Sequence, residues 1–257
     1  MLNRRYFLAA LAGSALATPP EPPTRVAKVV KLFRSPEGTP NGLETTPEGL
    51  WIAEQVSDSA FLVDWNGKVI RKVETESSNT SGLAYGGGFL WMAANGQAMN
   101  RPARPNDAKG DQGIIVKADA KTGKTVDRYT IPGGGGVHGL EYADNSLWTA
   151  FVKAEKLVQL DPKDFSAKSE IKLHLPRPHG IAYDRGSLWS VHTGRRIIHK
   201  LNPKDGSIQE IITIRPEDPE PHGMCLHQGH LYISDAGITP DGKHSGSPHV
   251  GWVCRID

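Results

Sequence analysis

The sequence predicts an all-β fold, a β-propeller of five blades, because a short pattern recurs about every 40 residues and no segment has sustained helical periodicity. In each copy, a Gly and a hydrophobic residue precede a Leu-Trp or Leu-Tyr pair by seven to ten residues. Consecutive copies are 40, 57, 41 and 43 residues apart. Such a period is typical of propellers, whose blades are four-stranded sheets around a central channel. The copies begin at Asn41-Gly42-Leu43, Ser81-Gly82-Leu83, His138-Gly139-Leu140, His179-Gly180-Ile181 and His222-Gly223-Met224.

The fourth copy shows most clearly how one repeat divides into four strands, which we call a to d from the channel outward. Residues 180–183, 188–192, 197–201 and 207–214 are strand-like segments separated by polar turns that contain Gly or Pro. A Trp recurs at one position of strand b, and we expect it to pack between adjacent blades. These tryptophans are Trp51, Trp91, Trp148 and Trp189.

The two ends of the chain are predicted to close the ring. The last copy ends in residues 252–257, a strand c without a strand d after it, and residues 26–33 form a strand that precedes the first copy. Pairing the two segments completes the fifth blade and leaves only short edges. Six blades are the alternative if the insertion at residues 97–112 contains strands, but its polar, Pro- and Gly-rich composition favours a loop.

The N-terminus resembles an export signal. Residues 1–17 combine a basic start, a short apolar stretch and small residues at the end, and Arg4-Arg5 is typical of the twin-arginine route, with an ordinary secretory signal as the alternative. We therefore expect an exported protein, periplasmic or secreted. Residues 18–25 are predicted to be a Pro-rich spacer, and residues 26–257 a single propeller domain.

Charge and cysteine content argue against nucleic acid and membrane partners and against a disulfide bond. The formal charge of +2 falls to about zero when Arg4 and Arg5 leave with the signal, which argues against nucleic acid and anionic membranes as partners. The apolar run of the signal is too short to span a membrane, and we expect a monomer. Cys225 and Cys254 fall on strands a and c of the last copy, about 10 Å apart and beyond disulfide reach.

Three histidines occupy one position in consecutive blades, directly before the Gly of strand a. His138, His179 and His222 are thereby predicted to surround the mouth of the channel, with Asn41 and Ser81 at the same level in the first two blades. The ends of strand b and two long loops, residues 96–112 and 237–249, belong to the same face; long loops in compact domains are usually functional. The side chains at the strand-b ends are Glu54, Asn95, His192 and Asp235.

The three histidines have three alternative interpretations. His138, His179 and His222 are suitable ligands for Zn, Cu or Fe. One of them is instead suited to act as a general base. The third interpretation is structural: each imidazole hydrogen-bonds the backbone of the next blade. In the first two cases we expect a small molecule or peptide on this face, with Asn41, His192 and Asp235 among its contacts.

Two segments resemble the last two blades of streptogramin lyases of the virginiamycin B lyase type. They are Arg177-Pro178-His179-Gly180-Ile181 and Glu220-Pro221-His222-Gly223-Met224. Those propellers open a cyclic depsipeptide by elimination, assisted by magnesium. The resemblance implies that His222 is the general base, that Glu220 is its acidic partner and supports the metal, and that His179 contacts the substrate. It also implies an acid at the end of strand b, near Asp235.

The number of blades is similar to that of plant-type glutamine cyclotransferases, in which an acid follows a Leu-Tyr pair directly. This chain has Ile52 there, and Glu54 two residues later. We therefore do not infer that activity. The sequence leaves three candidates: a metal-assisted lyase with a histidine base, a non-catalytic propeller that binds a ligand or protein, and a histidine-ligated metal or redox centre.

Overall fold

The computed structural model describes residues 20–131, 136–238 and 245–257. The predicted signal, the start of the spacer and part of the long loop at residues 237–249, with His244 in it, lie outside these residues. The described residues form an all-β propeller of five blades, as the sequence predicts. None of them belongs to a helix long and apolar enough to cross a membrane.

Four blades are built from consecutive strands, each blade running outward from the axis. The first blade has β3 (Pro40–Thr46), β4 (Gly49–Glu54), β5 (Ser59–Val63) and β6 (Val69–Glu74), and the second has β7 (Thr80–Gly86), β8 (Phe89–Asn95), β9 (Gly113–Asp119) and β10 (Thr125–Thr130). The third blade has β11 (Val137–Ala143), β12 (Ser146–Phe151), β13 (Lys156–Leu160) and β14 (Ala167–Lys172). The fourth blade has β15 (Pro178–Asp184), β16 (Ser187–His192), β17 (Ile197–Leu201) and β18 (Ile208–Thr213). The insertion between β8 and β9 contains no strand, which explains why the blade count is five rather than six.

The fifth blade joins the two ends of the chain. It consists of β19 (Met224–His227), β20 (His230–Ser234), β21 (Trp252–Ile256) and β2 (Val29–Arg34), and β2 pairs antiparallel with β21. The N-terminal strand therefore supplies the missing outer strand. The structure adds β1 (Thr24–Val26), which pairs in parallel with β18 and becomes a fifth strand of the fourth blade. The segment predicted as a spacer thus ends in a strand, because the backbone of β18 is open to pairing at the edge of its blade.

The repeated Gly of strand a is required by the close approach of neighbouring blades at the axis. A Cβ on Gly82 would lie 2.1 Å from the carbonyl oxygen of His138, and one on Gly139 would lie 2.0 Å from that of His179. Between the fourth and fifth blades the amide of Gly180 donates to the carbonyl of His222 at 2.9 Å. The Gly therefore brings the preceding residue of each blade close to its neighbours.

The core lies between the blades. Trp148, for example, packs with Ile181 and Leu188 of the following blade, and the other three strand-b tryptophans are buried in equivalent clusters. Their predicted role between blades is confirmed. Cys225 and Cys254 are buried and unbonded, on strands β19 and β21 with β20 between them, as the spacing predicts.

Candidate functional site

A cavity of about 400 Å³ opens at the end of the axis where the three histidines lie, and we call it the axial cavity. The ring centroids of His138 and His179 are 4.3 Å apart, and those of His179 and His222 are 5.2 Å apart. Three neighbouring blades therefore bring their imidazoles together. The cavity is lined by Asn41, Gln55, Asn79, Asn95, Met99, Asp111, Gly136, His138, Val152, Lys153, Arg177, His179, His222 and Ile238.

A second level of the cavity wall is formed by residues with a left-handed backbone. Asn79, Gly136 and Arg177 each lie two residues before the Ser or His of their strand a, with φ of 48°, 89° and 55°. Gly and Asn adopt this conformation readily, whereas Arg does so at a cost in backbone energy. Strained backbone of this kind is concentrated at functional sites.

Amide side chains form a continuous chain along one side of the axial cavity. Asn41 donates to Gln55 at 2.9 Å, Gln55 donates to Asn79, and Asn79 donates to the carbonyl of Asn95 at 2.8 Å. The buried Oδ1 of Asn41 has no hydrogen-bond partner among the described residues. A buried hydrogen-bond acceptor is therefore left unpaired in a side chain of the cavity wall.

The orientation of His138 is set by Asn95. The Asn95 Oδ1 accepts from the amide of Gly136 at 2.6 Å, so its NH₂ group faces His138 Nε2 at 2.8 Å. Nε2 then accepts, and the proton is on Nδ1, which is buried without a partner among the described residues. Burial lowers the pKa of His138 to about 3, and the charge of Arg177 contributes. His138 is therefore neutral near pH 7 and carries a buried N–H without a partner among the described residues.

His179 and His222 are both buried but differ in their contacts. His179 Nδ1 has no hydrogen-bond partner among the described residues, and burial holds the pKa of His179 well below its usual value. His222 Nδ1 lies 3.2 Å from the carbonyl oxygen of Glu220, and its Nε2 lies 3.1 Å from that of Ile238. Burial lowers the pKa of His222, while the Ile238 carbonyl raises it. Both ring nitrogens of His222 therefore face carbonyl oxygens, and neither is directed at a substrate proton in this arrangement.

Arg177 carries a positive charge to the wall of the axial cavity. Its Nη2 donates to the carbonyl of Ile238 at 3.1 Å. No carboxylate among the described residues forms an ion pair with it, although the charge of Glu220 is near enough to raise its pKa. Burial is the larger effect and lowers the pKa of Arg177.

Three residues predicted to join the site do not line the axial cavity. Asp235 is fully buried and accepts from the amides of Glu220 and Gly237 and from the hydroxyl of Ser247. It holds the last long loop in place. Glu220 donates its amide to Asp235 and is partly exposed outside the lining.

The third of these residues, His192, is buried inside the fourth blade. Its Nδ1 lies 3.2 Å from the carbonyl oxygen of Pro176, and its ring contacts that of His199, with 4.8 Å between centroids. Burial lowers the pKa of His192 to about 4. Its placement at the end of strand b was predicted, but its side chain turns into the blade rather than toward the opening.

The described residues do not bring together a typical set of metal ligands. No group of three His, Cys, Asp or Glu side chains in the described ranges is placed to hold a metal ion. His222 faces two carbonyl oxygens, His138 Nε2 faces an amide, and the carboxylate of Asp235 is engaged by backbone donors. The described geometry therefore adds no support for the three-histidine centre, and a metal at His222 or Glu220 stays a prediction.

The insertion forms part of the rim and is held by a buried ion network. Arg101 binds Asp107 through two hydrogen bonds of 2.7 and 2.8 Å. Its Nε also lies 2.7 Å from Asp58, an ion pair in which the N–H does not point along a hydrogen bond. Met99 and Asp111 of the same insertion line the axial cavity. The insertion therefore forms part of the cavity wall and is held in place by buried ion pairs.

The sequence analysis missed Gln55, Asn79 and Arg177. Gln55 directly follows Glu54, the strand-b end that was expected on this face. The position of Glu54 therefore could have indicated that Gln55 lies near the cavity. Asn79 and Arg177 occupy the left-handed position two residues before the Ser or His of strand a. In the sequence, only the glycine at this position of the third blade, Gly136, indicated a special backbone conformation. Glu54 itself is buried and accepts from the amides of Glu37 and Thr39.

The sequence matches no protein-family model and no curated protein. Several solved structures share its fold. Glutaminyl cyclase from Myxococcus xanthus is 13% identical, with a TM-score of 0.67 over 92% of this chain and 98% of that one. A streptogramin B lyase is 15% identical, with a TM-score of 0.53 over 90% and 97% of the two chains.

A protein of unknown function from Bacteroides caccae is 13% identical to this chain, with a TM-score of 0.52 over 84% of this chain and 86% of that one. The similarity to propellers of the streptogramin lyase type, expected from the motifs, and to glutaminyl cyclase propellers, expected from the number of blades, is therefore also found in the structure. At such low identities the likeness shows a shared fold and does not transfer an activity.

Proposed function

We propose that this propeller binds a small polar molecule in the axial cavity. The observation that supports the proposal is a set of buried polar atoms without partners among the described residues. Asn41 Oδ1, His138 Nδ1 and His179 Nδ1 all belong to side chains that line one cavity of about 400 Å³. Leaving a buried polar group unpaired costs about 1–3 kcal/mol. A ligand that pairs with several of them recovers that cost on binding.

Hydrogen bonding suits these imidazoles better than proton abstraction. A general base works best with a pKa near the working pH, and the pKa of His138 is about 3. His179 is shifted in the same direction. Neutral imidazoles of this kind are poor bases but good hydrogen-bonding groups, which favours binding over catalysis.

The test is a screen of small polar compounds by protein-observed NMR and thermal shift, followed by one pair of variants. His138→Phe removes the unpaired N–H while keeping a flat ring, and we expect it to weaken binding by about 10-fold. His227→Phe is the control, because His227 stacks on Trp65, 4.0 Å between centroids, away from the cavity. Equal affinities in the two variants, or the absence of any compound that binds at the cavity, would contradict the proposal.

A lyase with a histidine base is the second candidate, favoured by the Pro-His-Gly motifs and the shared fold of the streptogramin B lyase. In an elimination the base removes a proton next to a carbonyl, a C=C bond forms and the ester C–O bond breaks, so the product keeps the mass of the substrate. His222 would be the base and Glu220 its partner. Since both ring nitrogens of His222 face carbonyls, one contact must open first.

Incubation with a streptogramin B antibiotic, with and without Mg²⁺, tests this candidate by chromatography and mass spectrometry. A linear product of unchanged mass that is lost in His222→Ala supports it. An intact antibiotic under all conditions removes it. Metal analysis of the same preparation tests the histidine-ligated centre, which requires stoichiometric Zn, Cu or Fe that is lost in His138→Ala.

We also propose export by the twin-arginine route, on the basis of Arg4-Arg5 and the short apolar stretch that follows. Fusion of residues 1–25 to a reporter that is active only when exported folded tests the proposal. Replacement of both arginines by lysine should abolish export of the reporter. Unchanged export in that variant would favour the ordinary secretory route.

A further inference from the structure

Arg177 is half-buried and, unlike Arg101 on the same face, has no acidic partner among the described residues. Arg101 is held by Asp58 and Asp107 at 2.7 Å each. Arg177 has one hydrogen bond, to the carbonyl of Ile238, and no ion pair with a described carboxylate. A partly buried charge without a counter-ion is unfavourable unless a ligand supplies one.

The backbone at Arg177 indicates that the guanidinium is placed there at a cost. Its φ of 55° is left-handed, whereas the third blade has Gly136 at the equivalent position, with φ of 89°. Gly would adopt the turn without strain. Arg at this position therefore costs backbone energy that Gly would not. Such a cost is expected where the side chain has a function.

The rest of the cavity wall limits the charge of the ligand. Lys153, the other cation of the lining, is already paired with Asp111 at 2.6 Å. Among the described lining residues, Arg177 thus has the single unpaired positive charge. One guanidinium matches one monoanion, and its planar fork matches the two oxygens of a carboxylate.

The unpaired atoms of the amide chain and the histidines define the remainder of the ligand. The buried His138 Nδ1–H belongs to a side chain that lines the same cavity and is a further donor without a partner among the described residues. Asn41 Oδ1, in the first blade, needs a donor on the ligand. The ligand therefore needs an anionic end and, separately, an N–H or O–H.

We infer that the axial cavity recognises a small monocarboxylate that also carries a hydrogen-bond donor, with its carboxylate paired to Arg177. This inference rests on the proposed binding function and adds the chemical class of the ligand. N-acylated amino acids have both features, since they join a carboxylate to an amide N–H.

The experiment compares N-acetylglycinate with its neutral twin N-acetylglycinamide and with inorganic phosphate, at constant ionic strength. Protein-observed NMR follows the ring nitrogens of His138 and His179 and the guanidinium of Arg177. We expect saturable shifts with N-acetylglycinate and affinity about 10-fold or more above that of the amide, as for a charge-assisted hydrogen bond. Phosphate should bind more weakly than N-acetylglycinate.

Two variants remove the guanidinium in different ways. Arg177→Met keeps much of the side-chain volume, and Arg177→Gly adopts the left-handed turn without strain, so its melting temperature should not fall. Both should lower the affinity for N-acetylglycinate to that of the amide. Arg185→Met is the control, because this substitution removes the same charge from an exposed turn between β15 and β16. It should change the affinity less than about 2-fold.

The outcomes separate this inference from the proposed function. Equal binding of acid and amide, tighter binding of phosphate, or unchanged affinity in Arg177→Gly overturns the carboxylate inference while the cavity remains a binding site. If neither N-acetylglycinate nor its amide binds, the carboxylate inference falls. The broader compound screen then decides the binding function by itself.

Discussion

Glu44 and Glu141 lie on strand a of the first and third blades, three residues after Asn41 and His138. Burial raises the pKa of Glu44 to about 8, while hydrogen bonds from Thr45 oppose the shift. Burial also raises the pKa of Glu141, and the charge of Glu44 raises it further. The pKa values of two neighbouring carboxyls are thus raised on strand a, three residues beyond the histidine position.

These carboxyls make stability depend on pH in a defined direction. The folded state keeps protons that the unfolded chain releases near pH 4.5, so the free energy of unfolding falls as pH rises from about 4.5 to about 8. We expect Glu44→Gln to exceed the natural protein by about 1 kcal/mol or more at pH 8.5 and to match it at pH 5. Urea unfolding at both pH values measures the difference. A Glu44→Gln that is equally or less stable at pH 8.5 would contradict this assignment.

At the level of the strands, strand a is the element on which the site depends. Its Gly lets neighbouring backbones approach, and this approach brings the imidazoles within 4.3 and 5.2 Å of each other. The hairpin turns that follow strand a have positive φ at both central residues in four blades, as tight two-residue turns require. The pairs are Gly87-Gly88, Asp144-Asn145, Arg185-Gly186 and Gln228-Gly229.

Replacement of a strand-a glycine should therefore disrupt both packing and the cavity. In Gly139→Ala, the new Cβ would lie 2.0 Å from the carbonyl oxygen of His179, so the third and fourth blades must separate. We expect a loss of about 3 kcal/mol or more in unfolding free energy. Gly186→Ala is the matched control: its φ is 88° but no atom lies within 4 Å, so only backbone strain of about 1 kcal/mol applies. Similar losses in both variants would show that the close approach is not limiting.

The sequence was informative about strand a and much less so about the turns beside it. The Gly pattern predicted which residues share a level, and Asn41, His138, His179 and His222 do line one cavity. His192 and Asp235 were predicted from the ends of strand b, but a strand end specifies a position and not the direction of a side chain. Asp235 turned out to hold backbone amides of the adjacent loop.

At the level of the whole molecule, ring closure joins segments from opposite ends of the chain. Val29 to Arg34 pairs with the last strand, and Thr24 to Val26 pairs with the outer strand of the fourth blade. Removing these pairs leaves an exposed edge of unpaired amides and carbonyls, a template for association with another chain.

Two N-terminal truncations test the role of closure. A chain that begins at residue 35 lacks β1 and β2, and we expect it to aggregate or to form dimers, with a melting temperature lower by at least about 10 °C. A chain that begins at residue 20 keeps both strands and should melt like the untruncated protein. Light scattering and thermal unfolding measure the two properties. A stable monomer that begins at residue 35 would show that the fifth blade does not need its outer strand.

The repeat by itself determined the fold class, the number of blades, the closure of the ring and the level shared by the histidines, because each follows from the spacing along the chain. Only the tertiary structure decided which ring nitrogens lack a partner among the described residues, which acids bind backbone amides, and that no described carboxylate pairs with Arg177. These depend on the direction of side chains and on contacts between residues from different blades, and no local pattern in the sequence specifies them.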